Sequence, residues 1–227
     1  MATQRLTTKK ANSESPQIVT LVVDDSGSMS ADFKSTQATE ALKQMVMEIQ
    51  GGNMGAGGYR YLVNIAKFGD EVTALAECAA PNTIDIDTLN FTGDSGGTEM
   101  APALEWAAAV TDRSLKQLRS LPKFKEEAAP NPIVVFFSDG ENTGPDVTAP
   151  AQKLKSLKMV GGSIDVVACG IGMTQEAFEN VMKVIASKEE LAVNIEPSEL
   201  GNFIAEVRKT VVQGGSAQDL VQQFDNP

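Results

Sequence analysis

The sequence predicts an α/β fold of the doubly wound kind, a mostly parallel sheet of about six strands with one antiparallel edge strand and helices on both faces. Three observations predict it. Short, nearly continuous apolar runs recur along the chain (QIVTLVVD, PIVVFFS, IDVVACG), as expected of strands buried on both faces. Between them, apolar residues fall at helical spacing. Gly, Pro, Asn and Asp gather at the junctions, so strand and helix alternate rather than segregate.

Gln17–Asp24 is the first strand, and Ala38, Ala41, Leu42, Met45, Val46 and Ile49 then form one apolar stripe of a helix. Gly51 and Gly52 are expected to end it, and a Gly-rich loop over 51–58 leads to a second strand, Tyr61–Phe68. Glu71–Leu75 returns after Gly69-Asp70, which predicts a hairpin and an antiparallel edge strand. A second helix is expected over 99–118, because Pro102 is tolerable only near its start. The Pro-, Lys- and Glu-rich stretch 119–131 reads as a surface connection. Pro132–Ser138 is a strand, with a helix around 148–160, and Ser163–Gly170 is another strand. Thr174 is placed to cap a helix whose Phe178, Val181, Met182 and Ile185 share a face. Leu191–Ile195 is the last strand, and Ser198 opens a helix with Leu200, Phe203, Ile204, Val207 and Val211 inward. Residues 1–16 and 213–227 read as polar tails around a domain spanning 17–212, although Leu220, Val221 and Phe224 can make a short docking helix.

Composition narrows the function. The chain of 227 residues carries a formal net charge of −11, which argues against nucleic acid, because a phosphate backbone needs a basic surface. It has no histidine, which removes histidine triads and the usual zinc ligands. No apolar run is long enough to span a bilayer, and the polar N-terminus lacks a secretory core, so a cytoplasmic protein is expected. Cys169, inside an apolar run, is expected to be a buried, inert thiol.

In doubly wound sheets, ligands bind outside the carboxyl ends of the strands. Three polar clusters land there: Asp24-Asp25-Ser26-Gly27-Ser28, Gly96-Gly97-Thr98 and Ser138-Asp139-Gly140. Two carboxylates and three hydroxyls are hard oxygen donors, suited to Mg²⁺, with Ca²⁺ or Mn²⁺ as alternatives. An ion held largely by neutral hydroxyls keeps its charge and favours an incoming carboxylate. Taken singly, each cluster is equally a turn or a helix cap. No phosphate-binding loop or dinucleotide fingerprint is present, since the Gly-rich loop lacks the Gly-Lys-Ser/Thr ending and follows a helix.

The Asp24-x-Ser26-x-Ser28 motif, the later Thr98 and the Asp139-Gly140 after a strand resemble the von Willebrand factor A (VWA) domain family. The resemblance covers roughly residues 17–212. It implies a metal-ion-dependent adhesion site (MIDAS) in which Ser26, Ser28 and Thr98 ligate through hydroxyls, and Asp24 and Asp139 directly or through water. Within the family the chain looks closest to stand-alone bacterial proteins of the tellurium-resistance TerY type, on PIVVFFSDG, IDVVACG and the closing helix after Val193-Asn194-Ile195. That resemblance implies a non-enzymatic, cytoplasmic module, monomeric by itself. Its partner protein would supply an Asp or Glu to the metal, and a protein kinase and a protein phosphatase are the implied partners.

Two alternatives stay open at this level. One is a Mg²⁺-dependent phosphohydrolase with an Asp nucleophile, although Ser26 stands where a second Asp is needed. The other is a structural subunit whose metal only rigidifies loops. Asp25, Asp94, Glu99, Glu141 and Asp146 are expected to be solvated, with an acidic rim around the site as the alternative.

Overall fold

The structure, a computed structural model, describes residues 9–52, 59–222 and 224. Most of the Gly-rich loop, the first eight residues of the expected N-terminal tail and most of the last five residues lie outside the described residues.

Strand β1 (Gln17–Asp24) is buried at all eight positions, which explains its nearly continuous apolar run. It pairs in parallel with β2 (Tyr61–Phe68) on one side and β4 (Ile133–Ser138) on the other. The antiparallel strand β3 (Val72–Ala79) borders β2, so the expected hairpin is present and runs four residues further than Leu75. Strands β7 (Asp165–Ile171) and β8 (Ala192–Ile195) continue the sheet in parallel beyond β4. The order is β3-β2-β1-β4-β7-β8. From β1 the chain winds toward β2, and from β4 it winds the opposite way toward β7. The order therefore reverses between β1 and β4, and this is the switch point where such sheets open a crevice.

Helices cover both faces. Helix α1 (Lys34–Gly52) packs with α6 (Leu200–Gln213), and α2 (Met100–Arg119) packs with α3 (Thr148–Ser156). Six residues of the predicted α1 stripe behave as expected except Ala41, which is half-buried; the helix also runs through both glycines to Gly52. Between β1 or β2 and α2 lies a buried polar knot. Asn64 donates to Thr20 and Ser114, and accepts the Cys78 backbone N–H at 2.7 Å, anchoring the bulged β3.

The helix expected to reach residue 160 stops at Ser156. Lys158–Met159 (β5) instead pairs with Gly162–Ser163 (β6), turning at Gly161, whose φ of +74° suits glycine. Thr174 caps its helix as expected, accepting from the Ala177 N–H. That helix runs as α4 (Gln175–Ala177), a π turn over Phe178–Met182, then α5 (Lys183–Ile185). The last long helix is entered through Glu196 and Pro197 rather than Ser198, with a capping box closed by Glu199. Beyond it, α7 (Ala217–Val221) buries Leu220 and Val221, and the Phe224 ring meets Phe203 at 5.1 Å. At the other end Ser15 is buried, and Glu14 is tied to Lys125 through backbone and side chain.

Candidate metal centre

Asp24 ends β1 and Ser138 ends β4, so paired neighbouring strands deliver them side by side at the switch point. Asp24 is fully buried; its Oδ1 accepts the Ser26 N–H at 2.8 Å and its Oδ2 accepts the Ser138 hydroxyl at 2.5 Å. Ser26 Oγ lies 3.1 Å from Ser28 Oγ, and the Ser28 hydroxyl donates to Asp139 Oδ1 at 2.6 Å. With the Ser28 proton committed to Asp139, Ser26 is left as the donor in the serine pair. The second Asp139 oxygen, Oδ2, receives the Lys34 ammonium.

Thr98 joins the group through Gly140. A Cβ at Gly140 would stand 3.0 Å from Thr98 Oγ1 and 3.6 Å from Ser28 Oγ, so both hydroxyls border the space a side chain there would fill. Thr98 is itself held from outside: its N–H donates to Thr143 Oγ1 at 2.9 Å and its carbonyl accepts the Thr143 N–H at 3.0 Å. The structure thus brings Asp24, Ser26, Ser28, Thr98 and Asp139 to one place from three separate stretches of chain.

What holds the middle stretch is Asp25. Expected to be solvated, it is instead fully buried. Its Oδ1 accepts the N–H groups of Thr92 and Gly93 at 2.7 Å each, and its Oδ2 accepts Ser95 Oγ at 2.9 Å and Lys67 Nζ at 2.7 Å. Asp70 adds a second clamp, accepting the Gly97 N–H at 2.7 Å. Gly96, at φ +83°, lies against that carboxylate so closely that a Cβ would sit 2.0 Å from Asp70 Oδ2; no other residue fits. A signal for Asp25 stood in the sequence: Lys67 is the one charged residue of the mostly apolar strand YLVNIAKF, and a lysine there needs an anionic partner. The other acids expected to be solvated behave so in part. Asp94, Glu141 and Asp146 are exposed and Glu99 is half-buried, while Asp146 accepts the Thr148 N–H at the start of α3.

Electrostatically the centre is short of positive charge. Burial, reinforced by the Asp139 carboxylate, raises Asp24 from 3.8 to about 6, against the lowering bonds from Ser138 and Ser26. Cys169 is free, fully buried and, through that burial, hard to ionise. Among the described residues no three or more Asp, Glu, His or Cys side chains gather around one point. A cation here would therefore meet two carboxylates and three hydroxyls, a hard-oxygen set. A buried carboxylate whose charge burial makes costly, serine hydroxyls already oriented by their bonds, and a side-chain-free Gly140 fit a small divalent ion.

A family model described as the von Willebrand factor type A domain matches residues 19–208. Among solved structures, proximal thread matrix protein 1 from the mussel byssus is 18% identical, with a TM-score of 0.58 over 90% of this chain and 49% of that one. One structure of that mussel protein has a zinc-occupied MIDAS motif. The chain spans about half the length of that protein. The vWF domain of the type V pili tip protein Mfa5 from Porphyromonas gingivalis aligns over 90% of this chain and 98% of its own, at 12% identity and a TM-score of 0.62. A von Willebrand factor type A protein from Catenulispora acidiphila is 15% identical, covering 88% of this chain and 43% of that one, with a TM-score of 0.60. No curated protein matches the sequence. At these identities the likenesses establish the fold. No helix among the described residues is long and apolar enough to cross a membrane.

Proposed function

We propose, from the premise that this chain belongs to the von Willebrand factor type A domain family, that it is a metal-dependent protein-interaction module whose ligands are Asp24, Ser26, Ser28, Thr98 and Asp139. The observation that carries this reading is the convergence of those five side chains at the β1/β4 switch point. The mussel protein's zinc-occupied MIDAS supports it by analogy. Mg²⁺ is the proposed ion here, with Ca²⁺ or Mn²⁺ as alternatives, because the donors are oxygens throughout. When bound, the ion supplies a positive charge with a coordination position open to a carboxylate from a partner protein.

The chain's own residues do the preparatory work. Ser138 and the Ser26 N–H each bond one Asp24 oxygen, which fixes the carboxylate's orientation. Ser26, standing where a phosphohydrolase of this kind needs a second Asp, favours binding over phosphoryl transfer. Asp139 accepts from the Ser28 hydroxyl and Ser26 donates to one Ser28 lone pair, which leaves the other for the ion. Asp25 and Asp70 hold the loop that carries Thr98.

The finer reading is an adaptor for a protein kinase and a protein phosphatase in bacterial stress or tellurite-resistance-type signalling, with the monomeric chain acting in the cytoplasm. It is supported by the TerY-type resemblance of PIVVFFSDG, IDVVACG and the closing helix after Val193-Asn194-Ile195. The test is capture of partners on the immobilised chain in Mg²⁺ and in EDTA. Partners released by EDTA and not held by Ser28→Ala support the module, and a kinase or phosphatase among them supports the adaptor. Equal capture in EDTA, or by Ser28→Ala, refutes it.

A further inference from the structure

We propose that Lys34 is a built-in competing cation: its ammonium shares Asp139 with the divalent ion and holds the site's affinity for that ion down. The inference rests on the metal reading above. Among the described residues Lys34 is the one Lys or Arg that is buried, at 7% exposure, in a chain of net charge −11 with many exposed acids to offer. Its Nζ binds Asp139, whose side chain is fully buried. The other oxygen of that carboxylate takes the Ser28 hydroxyl at 2.6 Å, and Ser28 Oγ is 3.1 Å from Ser26 Oγ. One carboxylate therefore separates a fixed positive charge from the hydroxyl pair offered to the metal.

The backbone is bent to put it there. Asp32 and Phe33, immediately before α1, both adopt left-handed φ angles of +53° and +57°. Neither is glycine, and such conformations persist only where surrounding contacts over-determine them. Directly after this bend Lys34 is buried, while the Phe33 side chain stays in solvent at 77% exposure.

Two consequences follow from charge. Like charges in a partly desolvated site repel strongly, so a divalent ion and the ammonium compete for the same carboxylate. Asp139 is also paired with Lys34, so less of its charge is spent on the ion and more of the ion's charge remains for an external carboxylate. Lys34 thereby makes ion retention depend on the acidic partner: weak alone, tight together.

The experiment is calorimetric titration of the full chain with MgCl2 and MnCl2, comparing wild type with Lys34→Met, which keeps the stem and removes the charge. Lys34→Met is expected to bind both ions at least tenfold more tightly, while Lys34→Arg stays within about threefold of wild type. In an Asp139→Asn background, Lys34→Met is expected to change affinity less than twofold, because the shared carboxylate is gone. Should Lys34→Met not fold, Lys34→Gln carries the same expectation with a donor left for Asp139. Unchanged or weaker ion binding in the charge-removing variant overturns the proposal while leaving the metal reading intact. No binding of either ion by wild type and by every Lys34 variant overturns both.

Discussion

Replacing Asp24 with Asn separates what the metal centre costs the fold from what it does. The side chain is fully buried, and burial raises its pKa from 3.8 to about 6. The folded state thus holds the proton more tightly than the unfolded chain. Between about pH 4 and 6 the unfolded chain has lost it while the folded one keeps it, so stability falls as pH rises through that window and levels off above it. A pKa difference of this size corresponds to about 3 kcal/mol. Asparagine keeps the shape and still accepts the Ser26 N–H, and its amide can donate to Ser138 Oγ where the carboxylate accepted. In EDTA at pH 7.5, Asp24→Asn is therefore expected to be the more stable protein by roughly 2–3 kcal/mol, a rise in Tm of about 4–12 °C for a chain of this size. The assay is calorimetric unfolding of both proteins from pH 4.5 to 8, with the difference between them shrinking as pH falls. Saturating Mg²⁺ then raises the Tm of wild type and leaves the variant unmoved, reversing or closing the gap. A variant less stable than wild type in EDTA at pH 7.5, or a difference independent of pH, would refute the reasoning.

Gly140→Ala places a methyl 3.0 Å from Thr98 Oγ1 and 3.6 Å from Ser28 Oγ. Mg²⁺ affinity by titration is expected to drop at least tenfold, with Tm in EDTA moving less than about 4 °C; wild-type affinity would mean that Thr98 and Ser28 do not serve a common ion. Asn64→Ala orphans the half-buried Cys78 N–H and unties Thr20 from Ser114. It is expected to cost about 2–4 kcal/mol in urea unfolding, and a loss below about 1 kcal/mol would show that water or neighbouring hydroxyls replace the amide.

The fold was legible because its determinants are local and repeated. A strand buried on both faces must be apolar along most of its length, and β1, β4 and β7 announce themselves by that. The α1 stripe does so by its period. What was illegible depended on pairings between distant residues. Leu157 could have continued α3, but an extended conformation there lets Lys158–Met159 meet Gly162–Ser163 across Gly161. The π turn at Phe178–Met182 leaves the same apolar residues on the inner face as an α-helix would, so periodicity does not distinguish the two.

The five proposed ligands were legible for a different reason: their chemistry is confined to a few residue types at strand ends. The groups that position them were not, because a carboxylate's partners are invisible until the loops close. Asp25 and Asp24 are neighbours with equal burial and opposite roles. Asp25 is saturated by three hydrogen-bond donors and a lysine, which spend its charge inside the protein. Asp24 receives neutral donors from Ser26 and Ser138 and has no ion-pair partner among the described residues, which leaves its negative charge uncompensated. That contrast, more than the motif, distinguishes a carboxylate that builds the loop from one that awaits a cation. Asp139 falls between them, with a hydroxyl on one oxygen and the Lys34 ammonium on the other. The strength of the site for its ion is therefore set by how far Lys34 satisfies Asp139, a quantity that neither residue reveals from its place in the sequence.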